Sequence, residues 1–102
     1  IDMDDKRPLT KAEIQDKLTE VPGWSFSDDK IKKEFKLPGF VDVVSLINEL
    51  TPFCERHDHH PDIHIYYNKV TFELQRFDIG GKVTGRDFLI AKEIERLYNL
   101  HS

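Results

Sequence analysis

The sequence contains a single cysteine and no long apolar run. Because Cys54 stands alone among 102 residues, the chain can form neither an internal disulfide nor a thiolate metal site of its own. No stretch approaches the roughly 20 apolar residues that cross a bilayer, and no secretory signal is visible, although the first three residues resemble a trimmed start that would hide one. We therefore expect a reducing compartment, the cytoplasm by default, with nuclear entry left open as the alternative.

The chain also lacks a strong excess of either charge. It has 15 Lys and Arg residues against 19 Asp and Glu residues, for a net charge of -4. Since nucleic acids and membrane surfaces are usually bound through basic patches, we expect neither as a partner, and a small molecule or another protein instead. The length suits one compact domain, predicted over residues 1–102 with a flexible start at 1–8, and oligomerisation would enlarge its small core.

Histidine is the side chain that the sequence concentrates in one place. His57, His59 and His60 occupy three of four consecutive positions, Pro61 follows, and His64 lies three residues further on. Imidazole is the side chain best suited to proton transfer near neutral pH. Pro61 disfavours a helical conformation at His60 and tends to end a preceding helix. The pattern predicts a reaction site at a helix exit.

The spacing of apolar residues predicts two short units of helix followed by hairpin, and then a last helix. A capping box at Thr10 to Glu13 begins the first helix, and a turn at residues 27–30 joins two strands between Trp24 and Leu37. The longest amphipathic helix runs from Phe40 to about Asp58, kinked or distorted near Pro52.

The second hairpin covers residues 63–75, and its tight turn should use the tolerance of Asn68 for a positive φ. Thr84 to Asp87 then resembles a helix start. The order is αββαββα, which predicts an α+β fold with one four-stranded antiparallel sheet and the helices packed on one face. The face of Val70, Phe72 and Leu74 should be the buried one.

Glu55 and His59 are four residues apart, so a continuing helix would place them on one face. The carboxylate would then orient the imidazole for proton transfer. The alternative is a metal site in which Asp58 or Asp62 joins the histidines. Neighbouring His59 and His60 diverge on a helix or a strand, and no second His or Cys cluster closes a coordination shell, so we expect no metal.

Taken together, Glu55-x-x-x-His59-His60-Pro61, Tyr67, residues 78–81 and the segment Thr84 to Asp87 resemble the pterin-4a-carbinolamine dehydratase family. The likeness covers most of the chain and keeps the order of these motifs. It implies loss of water from 4a-hydroxytetrahydrobiopterin, in the recycling of tetrahydrobiopterin, with no metal or organic cofactor. The quinonoid dihydropterin product is one that a reductase returns to the aromatic amino acid hydroxylases.

The resemblance also implies roles for single residues. His59 and His60 would be catalytic, and a substrate-binding group would comprise Glu55, Asp58, Tyr67, Phe77, Arg86 and Asp87. Within that group Tyr67 and Phe77 would flank the flat pterin ring. Asp87 is also placed as a helix-capping carboxylate, and Arg86 as a solvated charge, and the sequence leaves both alternatives open.

Phe77 departs from the family pattern, which usually has histidine there, and phenylalanine can stack on a heterocycle but cannot transfer a proton. Members of the family resemble one another in forming dimers through sheet edges and tetramers through the long helices, so we expect a homo-oligomer. One animal branch is also a dimerisation cofactor for a homeodomain transcription factor. A non-enzymatic binding or assembly protein is therefore the alternative function, with a protein as the partner.

Overall fold

The computed structural model describes residues 7–76 and 82–101, which contain three helices and four strands in the predicted order. These are α1 (Lys11–Leu18), β1 (Ser25–Ser27), β2 (Lys30–Lys36), α2 (Phe40–His57), β3 (Asp62–Tyr66), β4 (Lys69–Leu74) and α3 (Gly85–His101). The predicted α+β fold is confirmed.

The four strands form one antiparallel sheet in the order β1-β2-β4-β3. The central pair, β2 with β4, runs from Ile31 opposite Leu74 to Lys36 opposite Lys69. The short β1 and the strand β3 are the two edges among the described residues. Since β3 directly follows the histidine cluster, the candidate site lies at one corner of the sheet.

One face of the sheet carries the core. Val70, Phe72 and Leu74 are fully buried, as the alternation along β4 predicted. Helices α2 and α3 cover this face with apolar residues at helical spacing, and burial of each Val, Leu, Ile or Phe side chain among them contributes about 1.5–3 kcal/mol. The main contributors from the two helices are Val43, Leu46, Leu50, Cys54, Phe88, Ile90, Ala91, Ile94 and Leu97.

The two hairpin turns differ in which residues take the positive φ that a tight turn requires. Asp28 and Asp29 both have positive φ, of 53° and 60°, as a type I′ turn requires. In the second turn the positive φ, 58°, belongs to Tyr67, so the prediction that Asn68 takes it was wrong. Asn68 instead ties the hairpin to the end of β2, because its backbone oxygen accepts from the Leu37 N–H and its side-chain amide donates to the Leu37 carbonyl. These two hydrogen bonds fix the conformation of Asn68, and the positive φ of the turn is at Tyr67.

Helix α2 continues through Pro52 to His57, and only part of its apolar stripe is buried. Phe40, Val41 and Val44 at its first turns are exposed. In the described residues, no helix is long and apolar enough to cross a membrane.

The start of the described chain is attached to the body of the domain. Arg7 makes two hydrogen bonds to Glu13, of 3.0 and 2.8 Å, and Pro8 forms an isolated bridge with Thr84. The predicted flexible start at 1–8 thus includes two anchored residues, and residues 1–6 lie outside the described part. The capping box predicted for α1 is present in both directions between Thr10 and Glu13.

The capping box gives a pH-dependent contribution to stability. The hydrogen bonds from Arg7 and from the Thr10 N–H lower the pKa of Glu13 from 4.5 to about 2. Because the folded-state pKa lies below the unfolded value, this contribution is present above about pH 4.5 and is lost as the pH falls towards 2. We expect Glu13→Gln and Arg7→Ala to flatten the fall in unfolding free energy over that interval, measured by urea denaturation at stepped pH. An unchanged slope in Glu13→Gln would contradict the assignment, and high salt should shrink the effect because the pair is exposed.

Candidate active site

The turn after helix α2 sets the directions of the two histidines. Asp58 takes a left-handed conformation, with φ and ψ both 48°, and ends the helix. The His59 N–H then reaches back to the Cys54 carbonyl at 3.1 Å, a closure typical of a Schellman-type helix end. His59 therefore turns inward, off the helical path that the spacing from Glu55 assumed.

His59 and Asp87 form a buried pair that joins two helices. The His59 Nε2 contacts the Asp87 Oδ1, and the two side chains are only 5% and 0% exposed. A buried carboxylate needs partners for both oxygens, since an unpaired one carries a large desolvation penalty. The contact fixes the His59 ring where α2 ends and α3 begins.

The other oxygen of Asp87 caps helix α3. Its Oδ2 accepts from the Thr84 N–H at 2.8 Å, while the Thr84 hydroxyl accepts from the Arg86 N–H at 3.2 Å. The helix-capping role that the sequence left open is therefore present, and the same carboxylate contacts His59, while substrate binding by Asp87 stays a prediction. Asp87 is fully buried, so its contact with this corner is made through His59.

Glu55 contacts His60, whereas the sequence paired it with His59. The Glu55 Oε2 meets the His60 Nε2, and both side chains are largely exposed, at 67% and 54%. The left-handed turn at Asp58 explains the difference, because it swings His59 away and brings His60 back over the last helical turn. Each of the two adjacent imidazoles thus has its own carboxylate, one pair buried and one in contact with solvent.

Arg86 supports this corner from helix α3. Its Nη1 donates to the His57 carbonyl at 2.7 Å, so it meets one of the last carbonyls of α2, which have no partner within the helix. Together with the pair of His59 and Asp87, this hydrogen bond fastens the end of α2 to the start of α3. This contact of Arg86 is thus with the backbone of the segment that carries the histidines.

A pocket of about 330 Å³ opens beside the two histidines. That volume is at the lower end of the range for small-molecule sites. Its walls come from the turn after α2 and from the end of β4, and are formed by Asp58, His59, His60, Pro61, Asp62, Gln75 and Arg76. The pocket combines two imidazoles with carboxylate, amide and guanidinium groups, a set able to bind a polar flat molecule and exchange protons with it.

The predicted residues do not all gather at this pocket. Tyr67 directly follows β3, at the end of the strand away from the pocket. It is six residues after Pro61, which lines the pocket, and six residues of strand span roughly 20 Å. Phe77 and residues 78–81 lie outside the described residues. His64 faces the open side of the sheet, 3.5 Å from Glu73.

Gln75 and Arg76 are pocket residues that the sequence reasoning missed. Both follow β4 directly, and Arg76 pairs with Lys82 through the backbone. Their proximity to the histidines depends on β3 and β4 being neighbours with Asp62 opposite Glu73. The predicted hairpin could have indicated both residues. In an antiparallel pair with Asp62 opposite Glu73, the residues just after Glu73 lie beside those just before Asp62.

In the part of the chain that the structure describes, the side chains near the pocket are not arranged as a metal centre. Across residues 7–76 and 82–101, no three His, Cys, Asp or Glu side chains come together in an arrangement that could hold a metal ion.

Burial raises the pKa of the Cys54 thiol to about 11, so it stays protonated at neutral pH.

Comparison with known proteins gives one consistent family. The model for "Pterin 4 alpha carbinolamine dehydratase" matches residues 7–97. A protein of Sulfolobus acidocaldarius is 40% identical over 89 residues, which cover 87% of this chain and 97% of that protein. A protein of Picosynechococcus sp. is 44% identical over 89 residues, covering 87% and 96%. Both relatives are provisionally named as pterin-4-alpha-carbinolamine dehydratases.

Two solved structures are similar in fold. A protein described as a transcriptional coactivator/pterin dehydratase from Brucella melitensis superposes with a TM-score of 0.85 at 26% identity, covering 90% of this chain and 99% of that one. A pterin dehydratase-like protein described as a RuBisCO assembly factor in the alpha-carboxysome gives 0.58 at 16% identity, covering 74% and 86%. At that identity the second likeness concerns the fold alone.

The left-handed turn at Asp58 makes a testable contribution to stability. Asp58→Gly and Asp58→Ala both remove the carboxylate, but only alanine places a Cβ where the left-handed conformation costs about 1–2 kcal/mol. We expect Asp58→Gly to exceed Asp58→Ala by about 1 kcal/mol in unfolding free energy, measured by urea denaturation. Equal stability of the two variants would show that the turn does not depend on this conformation.

Proposed function

Because the chain belongs to the pterin-4a-carbinolamine dehydratase family, we propose that it removes water from 4a-hydroxytetrahydrobiopterin by histidine acid–base catalysis, in the recycling of tetrahydrobiopterin. The observation that carries this proposal is the pairing of two adjacent imidazoles, each with its own carboxylate, on one pocket of about 330 Å³. We place the reaction in the cytoplasm.

The reaction requires two proton transfers. The 4a hydroxyl takes up one proton and leaves as water, while a ring nitrogen gives up one proton and the quinonoid dihydropterin forms. His59 and His60 are close enough in sequence and space to serve as the acid and the base on one bound ring. Neither a metal nor an organic cofactor is needed in this scheme.

The different surroundings of the two imidazoles suit these roles. His59 is buried and held by Asp87, so its ring has a fixed orientation towards the pocket. His60 and Glu55 are in contact with water, so protons can exchange there between turnovers. General acid–base help of this kind typically supplies about a hundred- to ten-thousandfold in rate, and orientation in the pocket adds to it.

The remaining pocket groups would recognise the substrate. Asp58 stays in its predicted substrate-binding role at the pocket wall, and the amide of Gln75 can hydrogen-bond the polar edge of a pterin. Phe77 follows Arg76 directly in the sequence and stays the proposed stacking partner of the ring. Arg86 and Asp87 act in this scheme by positioning the helix ends and His59.

The alternative function is that of a non-enzymatic binding or assembly protein, or a transcriptional dimerisation cofactor, with the same fold. The observation that favours it is the exposed apolar group Phe40, Val41 and Val44 on helix α2, which is available to a protein partner. Self-association through such surfaces would also give the homo-oligomer that we propose. A folded chain without dehydratase activity would favour this alternative.

The first test is the dehydration rate of freshly generated 4a-hydroxytetrahydropterin, followed by ultraviolet absorbance. We expect the native chain to accelerate the reaction, and His59→Ala and His60→Ala each to lose about a hundredfold or more of that acceleration. His64→Ala is the matched control, since His64 lies outside the pocket, and it should keep the native rate. A native rate equal to the uncatalysed one would rule out the enzymatic proposal.

A further inference from the structure

An apolar cavity of about 140 Å³ lies directly beside the polar pocket. Its walls come from one face of α2 and from the chain around the start of β3, and they comprise Ile47, Leu50, Thr51, Cys54, His60, Pro61 and Ile63. The polar pocket of about 330 Å³ shares two of these residues, His60 and Pro61. A molecule bound against His60 in the polar pocket is therefore next to the cavity.

The cavity is too small for a whole ligand and large enough for a substituent. Sites that hold a complete small molecule have volumes of roughly 300–1,000 Å³. An apolar cavity of about 150 Å³ holds one benzene ring. The cavity beside His60 is slightly smaller than that, at about 140 Å³, so a chain of three carbons fits in it.

The polar groups on the cavity walls have little to offer a ligand. The Thr51 hydroxyl donates to the Ile47 carbonyl at 2.8 Å, within helix α2. The buried Cys54 thiol stays protonated, and a thiol is only a weak donor. The His60 Nε2 contacts the Glu55 Oε2. A hydroxyl that entered the cavity would give up its hydrogen bonds to water for few new ones, whereas a methyl group would lose none.

The chemistry of the pterin ring brings its side chain to this place. Natural pterins carry their side chain on C6, which is bonded to N5, and N5 is bonded to the carbon that carries the 4a hydroxyl. A ring with its 4a hydroxyl at the histidines therefore also has its C6 side chain close to them. In biopterin this side chain is a dihydroxypropyl group, with both hydroxyls on the carbons nearer the ring and a methyl group at the end.

We propose that the apolar cavity is a side-chain subsite that receives the terminal methyl group of the C6 side chain. The site then prefers a pterin whose three-carbon chain ends in methyl over one whose chain ends in hydroxymethyl. The inference rests on the proposed reaction of a pterin and adds which pterins the site accepts. Thr51, Cys54 and Ile63 would set this preference, while the polar pocket binds the ring.

A matched pair of ligands tests the preference. Oxidised biopterin and its trihydroxypropyl analogue are stable, have side chains of equal length, and differ by one hydroxyl at the end of the chain. We expect the native chain to bind biopterin about tenfold or more tightly than the analogue, because the extra hydroxyl would be buried without a partner. The dissociation constants are measured by titration, followed by the fluorescence of the pterin. Equal constants would overturn the inference.

Thr51→Leu tests whether the cavity is the cause. Thr51 is exposed and lines the cavity, so the longer leucine side chain would fill it from the rim, and leucine is a good helix former. We expect the two dissociation constants to become nearly equal. Asn48→Leu is the matched control, since Asn48 is exposed on the same helix and does not line the cavity, and it should keep the native preference. An unchanged preference in Thr51→Leu would contradict the assignment.

NMR on the native chain locates the methyl group without any substitution. We expect contacts between the terminal methyl protons of bound biopterin and the methyl groups of Leu50 and Ile63, two apolar walls of the cavity. Contacts of that methyl group with the walls of the polar pocket alone would overturn the inference, whatever the variants do.

The binding measurements use stable pterins and do not depend on dehydration. A chain that shows the expected preference but leaves the dehydration rate unchanged would contradict only the proposed reaction. A chain that accelerates dehydration but binds the two pterins equally would contradict only this inference. A chain that binds neither pterin would contradict both.

Discussion

The contact of Asp87 with His59 is the constraint on which the geometry of the site depends. One oxygen of this buried carboxylate holds the imidazole, and the other caps the first turn of α3. Since both partners are removed from water, neither oxygen is free to exchange its hydrogen bond for a solvent one without cost. The position of a catalytic candidate and the start of a helix are thereby fixed by the same side chain.

The end of α2 supplies the complementary half of this arrangement. The left-handed turn at Asp58 separates two sequence neighbours, so that His59 enters the interior and His60 stays at the surface. Arg86 holds the carbonyl of the preceding turn from the other helix. One backbone turn therefore places two imidazoles in different surroundings, and both come from the same short segment of the chain.

Much of the fold could be predicted from the sequence because its signals are local. The capping box at Thr10, the alternation along β4 and the helical spacing of α2 each depend on neighbouring residues, and all three elements are confirmed, although the apolar residues at the start of α2 are exposed. The partner of His59 could not be found that way, because four-residue spacing indicated Glu55 and the actual partner lies 28 residues away. The positive φ at Tyr67 was missed for a similar reason, since the Asn68 side chain is engaged by Leu37, a residue distant in sequence.

The pairing of β2 with β4 has a consequence for the order of folding. These strands are neighbours in the sheet but are separated along the chain by all of α2, the histidine turn and β3. Local hairpins and helices can form within microseconds, whereas the pairing of β2 with β4 must also overcome the entropy cost of closing this long loop and is expected later. The segment that carries both imidazoles is inside that loop, so a nascent chain has its complete sheet only after β4 has been synthesised, and the Asp87 that fixes His59 emerges later still.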